Sequence, residues 1–192
     1  MKRIALLVLG VMAISPTALA QTDAIDKALL AAPASLRDGA TVIRWKSDFT
    51  YDTLKKGTNR LVCFDLSGLP EQPSFMIECT SIGNLDRVAQ NRKLEASGDK
   101  SKTKVLFDAA EKNGTRVKPE YGSVWYHLMG PDREHAQKRT VVDIPGATTQ
   151  STGLPDNPEQ GGAWIVNAGT ANAYLMIPGE EGTEAGSSKP SK

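Results

Sequence analysis

Two strands joined by a turn decide the fold, and one stretch from Arg60 to Cys79 encodes them: RLVCFDLSGLPEQPSFMIEC. Its two apolar runs cover residues 60–64 and 74–79, and both are rich in the side chains that strands favour. A glycine and two prolines between the runs are typical of a turn, because neither residue type continues a strand well. The stretch therefore predicts two strands linked by a turn, each carrying one cysteine.

The N-terminus has the pattern of a secretory signal peptide. Two basic residues precede an apolar run over residues 4–14, and residues 18–20 read Ala-Leu-Ala, a small-residue cleavage pattern. The run is shorter than the roughly 20 apolar residues that a membrane anchor needs. We therefore expect cleavage after Ala20 to remove residues 1–20. The mature protein is then expected in the periplasm or the medium, with no stable membrane anchor.

Export changes the expected chemistry of the cysteines. In an oxidising compartment, Cys63 and Cys79 are expected to form a disulfide. Closing a loop of this length stabilises a fold by roughly 3 kcal/mol in the chain-entropy account. The alternative is a reactive thiol, which needs a histidine base beside it in space.

The composition is that of one globular domain with flexible ends. The chain has 192 residues, of which 40% are hydrophobic and 23% are charged. A formal net charge of +1 provides no field for nucleic acid, so we expect no nucleic-acid partner. We also expect no cofactor. Residues 21–178 are expected to form the domain, and residues 179–192, which lack large apolar side chains, a disordered tail.

The pattern along the chain predicts an α+β fold: a mainly antiparallel sheet of about six strands, a few helices and one disulfide. Helices are expected over residues 22–32, 85–96 and 103–112, and the last has Val105, Leu106, Ala109 and Ala110 on its apolar side. Further strand candidates cover residues 40–45, 123–129, 139–144, 163–167 and 173–177. The long segment 145–162 is typical of a binding loop or a mobile loop.

Several segments resemble the motifs of an uncharacterised family of secreted bacterial proteins. They are TLKKGTN at residues 53–59 followed by Cys63, GLP at 153–155, GGAWIVNAGT at 161–170 and LMIP at 175–178. His127 lies where that family has a similar histidine-containing strand. The family often has another histidine near the last strand, where this chain has Tyr174. The resemblance covers most of the mature chain and implies an exported domain, but it implies no activity.

The densest group of potential metal ligands is His127, Asp132, Glu134 and His135. No helical ligand spacing such as H-E-x-x-H is present, which favours a strand histidine followed by a charged turn. A metal or catalytic site at His127 and His135 is the alternative. His127 and Met129 also alternate along one strand and so share a face, and a soft His–Met pair suits copper. Core packing is the alternative role for Met129.

Aromatic side chains are candidates for stacking on a sugar or peptide ligand. They are Trp45, Tyr51, Tyr121, Trp125, Tyr126 and Trp164. The sequence has neither a phosphate-binding loop nor a nucleophile-elbow motif. We therefore expect a non-enzymatic binding or envelope-associated module with an unknown small ligand or envelope partner. The alternative function is a small metal-dependent hydrolase centred on His127 and His135.

Overall fold

The computed structural model describes residues 16–178. The helices are α1 Pro16–Ala28, α2 Ala34–Arg37, α3 Leu85–Glu95, α4 Lys100–Lys112 and α5 Thr149–Thr152. The strands are β1 Thr41–Trp45, β2 Tyr51–Lys55, β3 Leu61–Asp65, β4 Phe75–Ser81, β5 Val124–Gly130, β6 Gln137–Asp143, β7 Trp164–Val166 and β8 Tyr174–Pro178. Single 3-10 turns cover Leu29–Ala31, Ile82–Asn84 and Pro158–Gln160. The basic and apolar segments of the expected signal peptide and the expected disordered tail lie outside the described residues.

All the strands belong to one sheet, in the order β2-β1-β3-β4-β5-β6-β8-β7. Only β1 and β3 pair in parallel, so the α+β class of the prediction is confirmed. The sheet is 8-stranded, and the expected number of about six is wrong. Strand β2 escaped the prediction because it is an edge strand whose first residues, Tyr51 to Thr53, are all exposed. Such a strand shows little of the apolar alternation that marks a buried one.

The β3–β4 pair forms the disulfide. The antiparallel register places Cys63 directly opposite Cys79, and their sulfur atoms are bonded at 2.13 Å. Both residues are completely buried beneath the 3-10 turn that follows α1. The predicted disulfide is confirmed, and neither thiol is free to act as a nucleophile.

Helices cover both faces of the sheet. On one face, Leu29 and Ala31 of the first 3-10 turn pack against Val42 and Ile77. On the other, Leu85 and Val88 of α3 join a second apolar cluster that includes Phe64 and Trp125. Side chains alternate along a strand, so every strand of the middle of the sheet contributes to both layers. We call the two sides the α1 face and the α3 face.

The side of helix α4 that faces the protein interior is not the side that its large apolar residues indicate. Val105 is 66% exposed and Leu106 is 44% exposed, whereas Thr103 and Ala110 are buried. The Thr103 hydroxyl donates a hydrogen bond to Glu71 and contacts the Leu94 carbonyl, which orients the helix. Of the four apolar residues expected on one side of the helix, Ala110 is buried, whereas Val105, Leu106 and Ala109 are exposed.

The expected cleavage point lies inside α1. Leu19 and Ala20 are exposed, and between residues 19 and 28 the first buried residue is Ala28. Cleavage after Ala20 would therefore leave the packed part of α1 in the mature chain. No helix within residues 16–178 is both long enough and apolar enough to span a membrane.

The long segment 145–162 has ordered structure of its own. It contains α5, which ends at Gly153 with a left-handed φ of 72°, and the last 3-10 turn. Its start is bonded to the turn 167–170: the Gly169 amide donates to the Ala147 carbonyl at 2.7 Å, and the Gly146 amide donates to the Thr170 carbonyl at 2.8 Å. The segment thus braces the turn that precedes β8.

Candidate functional site

His127 lies at the centre of the α3 face. It is paired in register with Glu78 of the neighbouring strand β4, so both side chains emerge on the same side of the sheet. The Nε2 atom of His127 and the Oε1 atom of Glu78 are 2.9 Å apart. Glu78 is only 7% exposed although it belongs to an otherwise largely apolar strand. The pair supplies a carboxylate-oriented imidazole at the sheet surface.

Asp143 ends β6 and lies close to this pair. Its Oδ2 atom accepts hydrogen bonds from the Ser123 hydroxyl at 2.9 Å and from the Trp125 indole nitrogen at 2.5 Å. The Asn84 amide in turn donates to the Ser123 hydroxyl at 2.8 Å, so the network continues to the start of α3. Burial raises the pKa of Asp143, although the bonds from Trp125 and Ser123 and the charges of Arg87 and His127 oppose the rise.

Arg87 covers the site from α3. Its guanidinium donates to the Val117 carbonyl at 2.5 Å and to the Asn172 side chain at 2.9 Å. Burial lowers the pKa of Arg87, and the charges of Asp143 and Glu111 oppose that shift. The arginine therefore ties α3 to the turn before β8 and places a positive charge above the sheet.

Tyr174 of β8 forms another part of the wall of this site. Burial, followed by the negative charge of Asp143, raises the pKa of its hydroxyl, and Arg139 acts in the opposite direction. The Tyr174 hydroxyl makes no hydrogen bond with any residue that the structure describes. It therefore stays neutral at physiological pH and is free to donate a hydrogen bond to a ligand.

These side chains surround an open cavity of about 200 Å³, which we call the His127 cleft. The lining residues are Glu78, Arg87, Asn91, Trp125, His127, Val141, Asp143, Tyr174 and Met176. A second cavity of about 440 Å³ adjoins it and shares Arg87 and Tyr174. Asn167, Thr170 and Asn172 line that extension, so the turn braced by the 145–162 segment forms part of its wall.

Arg116 lines the extension and contacts both α3 and α4. Arg116 donates to the side chains of Gln90 and Asn91, each at 2.5 Å, and stacks over Phe107 with its guanidinium carbon 4.7 Å from the ring centre. Burial, and then the nearby charge of Arg87, lower the pKa of Arg116 to about 10. It still carries its charge at neutral pH. Its hydrogen bonds to α3 and its stacking on Phe107 of α4 connect the two helices.

The structure places the candidate metal ligands on β5 and in the turn between β5 and β6. His135 lies in the β5–β6 turn, where its Nδ1 atom is 2.8 Å from Asp132 Oδ1 and its side chain is 69% exposed. Met129 instead packs on the apolar cluster of the α3 face, opposite Met76 in the sheet register. Within residues 16–178, no three histidine, cysteine, aspartate or glutamate side chains are grouped as a metal site requires. His127 and Met129 thus share the α3 face of β5, whereas His135 lies in the exposed turn that follows.

The aromatic candidates are also dispersed. Trp125 alone among them lines the His127 cleft. Tyr126 points to the opposite face, where it packs against the cluster under α1. Trp45 and Tyr51 form an edge-to-face pair at the β2 end of the sheet, with ring centres 5.4 Å apart. Tyr121 is 76% exposed. An aromatic platform is thus not assembled from these residues.

Sequence reasoning missed most of the cleft. Glu78, Arg87 and Asp143 were not among the candidates, and Tyr174 entered only through the family resemblance. Two of these residues, Glu78 and Asp143, could have been identified as candidates from the sequence. Glu78 is a single carboxylate in the largely apolar strand β4, and Asp143 directly follows two valines at the end of β6. A buried carboxylate in such a position needs a partner or a function.

Another cavity, of about 250 Å³, lies between the β1–β2 turn and the end of α3. Its charged residues are engaged with neighbours: the Arg92 guanidinium carbon lies 5.2 Å from the Trp45 ring centre, and the Gln72 side chain donates to Glu95 at 2.9 Å. Phe49 supplies an apolar wall. The His127 cleft has the greater variety of convergent polar groups and is the better candidate for a functional site.

The fold and the cleft together define an α+β protein with a polar cavity on one face of a mixed sheet. No family model matches the chain, and neither a curated protein nor a solved structure does. The function is therefore argued from the chemistry of the cleft.

Proposed function

We propose that this protein is an exported, non-enzymatic binding module that holds a small polar ligand in the His127 cleft. One observation carries the proposal: ionisable side chains from β4, β5, β6, β8 and α3 converge on a single open cavity. Ligand sites commonly combine an apolar wall with a few convergent polar groups. Here Val141 and Met176 supply the apolar part.

The chemistry of the lining residues favours binding over catalysis. The described residues that line the His127 cleft include no serine, threonine or cysteine that would act as a nucleophile. A hydrolase that uses His127 and His135 together gains no support, because His127 lines the cleft whereas His135 lies in the exposed β5–β6 turn and is not among the lining residues. Recognition needs only that the free donors and acceptors match a ligand.

Export supports the same proposal. The disulfide is expected in an oxidising compartment, and a periplasmic or secreted binding module has direct access to small extracellular molecules. The short apolar run before the predicted cleavage point is the reason to place the protein there.

A pair of tyrosine variants tests the site. Tyr174→Phe removes a hydroxyl from the cleft, whereas Tyr126→Phe removes one from the opposite face and serves as the matched control. Binding of a panel of small polyols, amines and carboxylates is measured by amide chemical-shift titration. We expect shifts in β5, β6 and β8, and a 2- to 10-fold loss of affinity in Tyr174→Phe alone, because one hydrogen bond contributes about 0.5–1.5 kcal/mol. Equal losses in both variants, or shifts confined to the α1 face, would refute the proposal.

A further inference from the structure

Asp143 is a buried carboxyl without an ion-pair partner. It is 5% exposed, and no basic side chain among the described residues lies within salt-bridge distance of it. Its Oδ2 atom accepts both hydrogen bonds, from Ser123 and Trp125. The other oxygen, Oδ1, has no hydrogen-bond donor in the described chain, and Asp143 forms part of the cleft wall. The residue therefore offers a ligand an unused acceptor with a negative charge.

The charged and titratable groups around Asp143 come from every element packed against it. They are Arg87 of α3, Glu78 of β4, His127 of β5, Arg139 of β6 and Tyr174 of β8, with Glu111 of α4 behind Arg87. Arg87 acts on Asp143 at a distance, because its two terminal nitrogens donate to Val117 and Asn172. The Nε2 atom of His127 is hydrogen-bonded to Glu78.

The atoms left free in the cleft are mostly acceptors. They are the second oxygen of Asp143, the second oxygen of Glu78 and the Nδ1 atom of His127, which accepts when the proton is on Nε2. The Tyr174 hydroxyl is able to donate or accept. A ligand must therefore bring hydrogen-bond donors, and one that also brings a positive charge would supply the partner that Asp143 lacks.

We propose, resting on the proposed function, that the ligand of the His127 cleft carries a protonated amine, which pairs with the Asp143 carboxylate. An anion would meet the negative charge of Asp143, and Arg87 already directs two of its N–H groups to Val117 and Asn172. A neutral alcohol would form hydrogen bonds but leave the charge of Asp143 uncompensated. The amine is therefore the chemistry that the site selects.

Binding of a cation is linked to the protonation of Asp143. The amine pairs with the ionised carboxylate, so below the raised pKa of Asp143 its binding displaces a proton. Affinity is therefore expected to rise as pH rises through that pKa.

Three probes of matched size test the charge requirement: propylamine, 1-propanol and propionate. Each is titrated into the isotopically labelled full domain at pH 7, with amide shifts as the readout. We expect propylamine to shift cleft amides with at least 10-fold higher affinity than either of the other two. If 1-propanol or propionate binds the cleft as tightly, the amine proposal is wrong while the proposed function stands. If none of the three shifts cleft amides, the amine proposal is also overturned.

A matched pair of acid variants assigns the effect. Asp143→Asn keeps an acceptor for Trp125 and Ser123, and it should reduce the preference for propylamine over 1-propanol to less than 3-fold. Asp132→Asn, in the exposed turn beside His135, is the control and should change nothing. The wild-type protein supplies an independent measurement that needs no variant: its affinity for propylamine should fall as pH is lowered from 7 through the raised pKa of Asp143. An affinity that is constant over this range contradicts the proposal.

Discussion

At the scale of single residues, the α3 face is unusual because it buries charge where the opposite face buries hydrocarbon and the disulfide. Glu78 and Asp143 are 7% and 5% exposed, and each is held by specific donors. Burial of an ionised carboxyl is costly unless its oxygens are bonded. The presence of both carboxyl groups at an open cavity is better explained by a role in ligand recognition than by a contribution to the stability of the fold.

The His127–Glu78 pair provides the first prediction. His127→Gln keeps a donor near Glu78 and should lower the free energy of unfolding by less than about 1 kcal/mol. His127→Ala leaves a buried carboxylate without its partner and should cost about 1–3 kcal/mol. Urea denaturation of both variants measures the difference. Equal stability of the two variants would mean that the hydrogen bond to Glu78 contributes nothing to the fold.

Asp143 provides a prediction about pH. Because its pKa is raised by burial, the native state holds the proton more tightly than the unfolded chain does. The free energy of unfolding therefore falls as pH rises from the ordinary carboxyl range through the raised pKa. Asp143→Asn lacks this titration, so its stability relative to wild type should increase with pH across that window. Denaturation curves of both proteins between pH 3 and 7 test this, and a constant difference would contradict it.

At the scale of elements, some parts of the fold were readable from local sequence and others were not. Strands β3 and β4 were predicted because continuous apolar runs flank an evident turn, and their cysteines indicated the disulfide. Edge strand β2 was missed because its polar residues face solvent. The inward side of α4 was misjudged because Thr103, a polar residue, anchors it through Glu71. Local periodicity does not reveal which partner an element meets.

The same limit explains the site. His127 was singled out from sequence, but its partners come from strands and a helix far away in the chain. The side-by-side order β4-β5-β6-β8 brings Glu78, Asp143 and Tyr174 to one face. That order is a property of long-range strand pairing, which a single sequence does not display.

Helix α4 provides a prediction at this scale. Val105→Lys replaces an exposed side chain and should change the free energy of unfolding by no more than about 0.5 kcal/mol. Ala110→Leu, on the same helix, inserts extra volume at a buried position and should cost about 1–3 kcal/mol. Thermal and urea denaturation of the two variants provide the comparison. A larger loss in Val105→Lys would show that the predicted apolar side is packed after all.

At the scale of the whole molecule, the two faces of the sheet have different roles. The α1 face is closed by apolar packing and the Cys63–Cys79 bond. The α3 face is left partly open and lined by polar groups. The disulfide links β3 to β4, and β4 is one of the strands that line the cleft, so the bond constrains one part of the cleft wall.

Export leads to a prediction about the mature chain. If the signal peptide is cleaved after Ala20, the intact mass of the protein recovered from the periplasm or medium should correspond to a chain that begins at Gln21. The melting temperature of this shorter chain should match that of the full chain, because the buried residues of α1 lie beyond the cleavage point. Recovery of a product that still contains Lys2 would rule out cleavage.

The central claim is that the His127 cleft is where this protein binds its ligand. The most direct measurement is an amide chemical-shift map of the labelled protein after addition of a small-molecule extract from the native host. The account predicts that the shifted amides cluster in β5, β6, β8 and α3, around Glu78, His127 and Asp143. Shifts clustered around Phe49 and Glu95, in the other cavity, or on the α1 face would contradict it.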